Sequence, residues 1–196
     1  MALMQAITLF AQEFNNGEDN FGTITILPKE RATQFEPALR GQLRTFYASV
    51  DFDELIIGNT FFLEIATADK LPRYQEGWLY VFTNGQKEYE DTQNWRESWV
   101  VFGDRNGDAV FAKLEDDRSP IYGSIQKQQE FKLASSLESF LTILTACLVV
   151  EEEEFGFETK NEDYSFKEEF IVKTTSVVEQ YESPETAHSF VQYFFG

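Results

Sequence analysis

The stretch Trp99 to Asp117 reads WVVFGDRNGDAVFAKLEDD, and its centre constrains the fold more than any other part of the chain. Asn106-Gly107 separates two runs rich in Val, Phe and Trp, residue types that suit a pleated, half-buried surface. A two-residue turn between such runs needs positive φ at both central positions, which Asn and Gly tolerate best. The same segment also spaces oxygens as a calcium loop does, with Asp104, Asn106, Asp108 and Glu115 at positions 1, 3, 5 and 12. However, the sixth position of such a loop must turn sharply, and here it is Ala109; Gly107 comes two places too early. The flanks also lack helical periodicity. The spacing predicts a β-hairpin over 99–114 and no ion site.

Short apolar runs bounded by Gly, Asn or Asp extend the strand pattern in both directions: ELIIGN, FFLEIA and WLYVFT before the hairpin, PIYG after it. Thr23 to Ile26 reads as a further short strand, and Asn84-Gly85 as a second hairpin turn. Ala68 to Gly77, containing Pro72, reads as a connection with one helical turn. A largely antiparallel sheet follows from this spacing.

Helical spacing marks the two ends of the chain. Leu3, Ile7, Phe10, Ala11 and Phe14 form one stripe, closed by Asn15-Asn16-Gly17. A second helix is expected from Pro37, with Leu39, Leu43, Phe46 and Tyr47 on one face and Asp51 as its end. SSLESFLTILTACLVV gives the broadest stripe, Leu137, Phe140, Leu141, Leu144 and Leu148, with Ser135 and Glu138 at capping-box spacing. Phe166 to Tyr181 fits helical spacing, while its VKTTSVV run equally suits a strand. Ser183-Pro184 then starts a last helix carrying Ala187, Phe190, Val191 and Phe194, and the terminal VQYFF is expected to pack into the core.

Catalytic chemistry finds little material. His188 is the only histidine and has no orienting partner nearby in sequence, so a structural or surface role is expected. Cys147 lies within an apolar stripe and reads as a small buried hydrophobe. One Cys and one His leave no zinc set, and neither GxxxxGK[ST] nor GxGxxG occurs, so no metal and no cofactor is expected. A single cysteine also excludes an internal disulfide, which suits a reducing cytoplasm. The amino end, MALMQAITLFAQEF, lacks the pattern of a signal peptide, and no apolar run reaches bilayer length.

Charge is the one feature that points to a partner. Thirty-four acidic and sixteen basic side chains give −18, a field that repels nucleic acid and anionic lipid and attracts basic proteins. Glu151 to Glu185 holds twelve acidic and three basic residues and so carries half of the total. Within it, Glu151, Glu152, Glu153 and Glu154 read either as a solvated loop or as a docking surface for Lys and Arg. On the docking reading Glu158, Glu162 and Asp163 extend the surface, with Asp116 and Asp117 as further candidates.

The order of motifs resembles the SUKH superfamily: Leu27-Pro28 before a helix with Leu39, Leu43 and Phe46, then Gly103-Asp104, Gly107-Asp108, Ile121-Tyr122 and Ser136-Leu137-Glu138-Ser139-Phe140-Leu141. The resemblance spans roughly residues 27–148. It implies an α+β fold, a mostly antiparallel β-sheet flanked by helices, here with an additional acidic, mainly helical C-terminal extension over 151–196. It also implies a non-enzymatic role, since the family looks like cytoplasmic binding proteins, among them immunity proteins that neutralise polymorphic toxins. The expected function is therefore an immunity protein that occludes a basic toxin domain such as a nuclease, with carboxylates standing where phosphates would sit. A regulatory adaptor for another cytoplasmic protein is the alternative. A carboxylate-dependent hydrolase is the third reading, since two acids among 34 can be brought together by any fold.

Overall fold

The computed structural model describes residues 2–89 and 93–196. The chain is α+β. The first helix, α1 (Leu3–Asn16), buries Ile7, Phe10, Ala11 and Phe14 of the predicted stripe together with Ala6, while Leu3 in its first turn is half-buried. After it, β1 (Phe21–Gly22) and β2 (Thr25–Ile26) flank Ile24, whose N–H and C=O both bond the Asn15 side chain. That side chain takes the place of a strand partner, so the predicted strand Thr23–Ile26 is shortened to two residues.

The second helix, α2 (Gly41–Ser49), starts four residues after the predicted Pro37. Gly41 has φ +54°, a left-handed conformation that no helix arriving from Pro37 can pass through. Its first amides are instead satisfied by the 117–119 loop: Gln42 N–H donates to the Asp117 carbonyl and Leu43 N–H to the Ser119 hydroxyl. The helix also stops before Asp51, because β3 (Val50–Asp51) pairs with β2. Next come β4 (Leu55–Ile57), β5 (Leu63–Ile65), the single turn α3 (Leu71–Tyr74), and the hairpin β6 (Tyr80–Thr83) to β7 (Gln86–Tyr89). Asn84 and Gly85 at φ +53° and +77° make its turn.

The central hairpin is β8 (Trp99–Arg105) with β9 (Asp108–Lys113), and Arg105 pairs with Asp108 across Asn106-Gly107 at φ +54° and +91°. The Asp104 carboxylate accepts the Gly107 N–H at 3.1 Å, so this acid holds the turn. Then β10 (Ile121–Ile125) forms a hairpin with β11 (Gln129–Ala134), a strand that QEFKLA did not announce in sequence. Its polar and charged residues sit at the sheet's edge while Phe131, Leu133 and Ala134 face inward. Among the described residues the main sheet is antiparallel in the order β1-β4-β5-β8-β9-β10-β11.

Helix α4 (Leu137–Val149) covers one face of this sheet. Its cap is Ser136, whose hydroxyl accepts the Ser139 N–H, and not the predicted Ser135. Ser135 turns the other way and donates from N–H and Oγ to the Glu182 carboxylate at 2.8 and 2.7 Å. A wider turn of π type, Val150–Glu154, prolongs α4. The 166–182 ambiguity resolves as helix: α5 (Glu168–Val178) buries Phe170, Thr174, Val177 and Val178. The last helix, α6 (Pro184–Phe195), is capped by Ser183 as expected.

The acidic extension belongs to the same core. Phe170, Phe190, Tyr193 and Phe194 are buried together with the sheet and α1 and α4 side chains. The Tyr193 hydroxyl donates to the Ala109 carbonyl at 3.0 Å, and its ring lies on Gly123 so closely that a Cβ there would sit 2.5 Å from it. The opposite face of the sheet carries a second, aromatic cluster of Tyr80, Trp95, Val101 and Phe111, edged by Trp78, Trp99 and Tyr122.

Candidate functional site

The nine carboxylates singled out in the sequence do not form one surface. Glu151 comes four residues after Cys147 and three after Leu148, both buried, so prolonging α4 carries it onto the inner stripe. Glu151 is 2% exposed and cannot meet a partner, which corrects its assignment to a docking surface. Its carboxyl accepts from the Thr60 hydroxyl, and Thr60 lies 3.0 Å from the Thr159 hydroxyl. A hydroxyl has one proton and two lone pairs, so Thr60 gives its proton to ionised Glu151 and accepts from Thr159. Burial pushes the Glu151 carboxyl up to about 7, against the lowering bond from Thr60 and helped by Asp19 and Glu152. The group thus ties the prolonged α4 to the β4–β5 turn and to the 155–160 segment. The neighbouring Cys147 thiol is buried and is pushed up by burial and by Glu151, which removes it as a nucleophile.

Glu152, Glu153 and Glu154 do reach the surface. Glu154 pairs with Lys173 at 2.8 Å, and among the described residues no ion pair involves half-buried Glu152 or exposed Glu153. Glu13, at the end of α1, has its carboxyl raised first by partial burial and then by Glu152 and Glu153. The last turn of α1 therefore lies beside the end of α4, and the two helices run in the same direction. Their carbonyl ends, which already carry partial negative charge, meet at one place with three acids on it. Asp19, held by the Asn59 side-chain amide, stands next to this group and is near enough to Glu151 to raise it. Sequence reading missed Glu13 and Asp19 because nothing local places residues 13 and 152 side by side.

The remaining candidates serve other ends. Glu158 is exposed with Lys167 at 4.0 Å, and Glu162 is exposed. Asp163 is exposed but accepts from the N–H and hydroxyl of Ser165, bonds that hold a turn and lower its carboxyl. Asp116 accepts from the Arg118 guanidinium and N–H, and Asp117 supports the start of α2 through its carbonyl. Leu137 N–H donates to the Arg118 carbonyl, so this pair stands at the opposite end of α4 from Glu152. Thirteen helical residues separate the two groups, roughly 20 Å at about 1.5 Å per residue.

A cleft on the sheet pairs two acids across neighbouring strands. Glu64 and Asp104 are direct partners across β5 and β8, on the aromatic side of the sheet, in a cleft of about 370 Å³ walled by Lys70, Arg73, Tyr74 and Trp78. Burial, then the Glu64 and Asp104 carboxylates, push the Tyr74 phenol up. Lys70 stands 3.9 Å from Glu64, and Asp104 is occupied by the Gly107 N–H. Among the described residues no group of His, Cys, Asp or Glu is arranged to hold a metal ion. Nor is any helix there long and apolar enough to cross a membrane. His188 is exposed on α6.

The chain matches no known family model, no curated protein and no solved structure.

Proposed function

We propose that this chain is a non-enzymatic inhibitor: an immunity protein of the cytoplasm that binds and masks a basic toxin domain, with a nuclease as the favoured target. The observation that carries the reading is the convergence of Glu13, Glu152 and Glu153 at the carbonyl ends of two parallel helices. Like charges held close repel, and the Glu13 carboxyl, raised first by its partial burial, is raised further by Glu152 and Glu153. A partner presenting Lys and Arg relieves the repulsion, so part of the strain held in the free protein becomes binding energy. The net charge of −18 speeds the encounter and keeps nucleic acid and anionic membrane away. The SUKH-like motif order supports the same reading, and so does the sealing of Cys147 and Glu151 away from any substrate.

The test is co-expression with the protein encoded by the adjacent gene. Copurification and rescue of growth are expected, and growth arrest with no complex would remove the proposal. A second reading, a carboxylate-dependent hydrolase, has the Glu64 and Asp104 cleft in its favour. Turnover by the purified chain that disappears in Glu64→Gln would establish it in place of the first.

A further inference from the structure

Charge alone steers an encounter without holding it: opposite fields raise association rates, while affinity comes from an apolar centre that excludes water. An acidic face that binds a protein therefore needs an apolar contact beside it. The helices that converge on Glu13, Glu152 and Glu153 supply one. Between α1 and α4 lies an apolar groove lined by Ala6, Leu9, Thr142, Thr145, Ala146 and Tyr181. Leu9 is 40% exposed and Tyr181 43%. Leu9 and Glu13 are four residues apart on α1, so they share a face and stand one turn apart. Along α4 the groove leads from Thr142 through Ala146 toward Glu152 and Glu153.

The size of the groove limits what it takes. About 130 Å³ is well below the roughly 300–1,000 Å³ of sites that enclose a small molecule, so it is a socket for a single large side chain. A second copy of this chain is disfavoured, because each copy brings −18 and the same acidic end. An anionic lipid surface is disfavoured for the same reason. Charge complementarity selects a basic polypeptide, and an apolar socket set one helical turn from the acids suits a helix that carries its anchor and its cations at the same one-turn spacing.

We infer that the α1–α4 groove docks an amphipathic basic helix of the partner, which seats one Leu, Met or Phe against Leu9 and Tyr181 and places Lys or Arg one turn away, against Glu13, Glu152 and Glu153. The inference rests on the proposed function and adds to it the partner's form and its anchor. The anchor sets how long the complex lasts, and the acids set how fast it forms.

The test uses the full chain and two 18-residue peptides of identical leucine and lysine content. One has leucines at i, i+3, i+4 and i+7; the other has the order scrambled so that no apolar stripe forms. Fluorescence anisotropy should show the striped peptide binding about tenfold tighter or more. The neutral double variant Leu9→Gln/Tyr181→Ser should erase that preference. Both positions are exposed, so the variant keeps its fold, and unchanged circular dichroism checks this. Glu152→Lys/Glu153→Lys should weaken both peptides alike. Equal binding of the two peptides, or a preference that survives Leu9→Gln/Tyr181→Ser, would overturn the groove. If the groove fails while charge reversal still weakens both peptides, the acidic face stands; if charge reversal also has no effect, the face falls with it. Sedimentation showing self-association that Leu9→Gln abolishes would assign the groove to a second copy and equally overturn the inference.

Discussion

Replacing Glu151 by Gln should make the protein less sensitive to pH and more stable above neutrality. The carboxyl titrates at about 7 when folded and near 4.5 when exposed in the unfolded chain. Below about 4.5 it is protonated in both states and pH has no effect through it. Between 4.5 and 7 the folded state keeps a proton that the unfolded state has lost, so stability falls as pH rises; above 7 both states are ionised and the loss is complete. A difference of about 2.5 pH units corresponds to about 3 kcal/mol. Gln has the same shape and no charge, and its carbonyl still accepts from Thr60. Urea titrations followed by tryptophan fluorescence at pH 5, 6, 7 and 8, run on both proteins, isolate this group, because every other acid titrates in both. The gap between the two should widen in favour of Gln as pH rises, approaching 3 kcal/mol less whatever its amide loses by imperfect pairing. Parallel curves from pH 5 to 8 would show that Glu151 is not held in a site that disfavours its charge.

Three further substitutions probe the frame that positions the acidic face. Leu141→Ala empties a buried position on α4 and should cost about 2–5 kcal/mol, read as a lower urea midpoint. Gly123→Ala pushes a methyl into the Tyr193 ring and should cost about 1–3 kcal/mol, with α6 loosening first in hydrogen exchange. Ser136→Ala removes the α4 cap and should cost about 0.5–2 kcal/mol. If Ser136→Ala is neutral, the first turn of α4 is held by Gln42 and Arg118 alone.

Local chemistry made much of this fold readable. Asn106-Gly107 and Asn84-Gly85 turn where positive φ was required, and α4 buries every residue its spacing selects, while α1 and α6 bury all of theirs but Leu3 and Val191, which are half-buried. What stayed hidden depended on distant segments. The start of α2 is set by the Asp117 carbonyl, 75 residues away in sequence from Gln42. Ser135 and Ser136 compete for one cap, and Glu182 takes Ser135 out of the contest. The four consecutive glutamates look alike as letters, yet the helical step from Cys147 and Leu148 turns the first inward and leaves Glu152 and Glu153 outside. Prolonging the α4 stripe by one turn would have separated them. No such local signal joins Glu13 to Glu152, because they come near each other only once α1 lies along α4.

Capture of a basic protein by the acids at the shared end of α1 and α4, as proposed, is tested most directly by the rate of association with the proposed toxin partner as salt is raised. Wild type should bind fast at low ionic strength and slow steeply with salt, while Glu152→Lys/Glu153→Lys should associate about tenfold more slowly or worse and respond weakly to salt. Identical rates and identical salt slopes for the two proteins would contradict it.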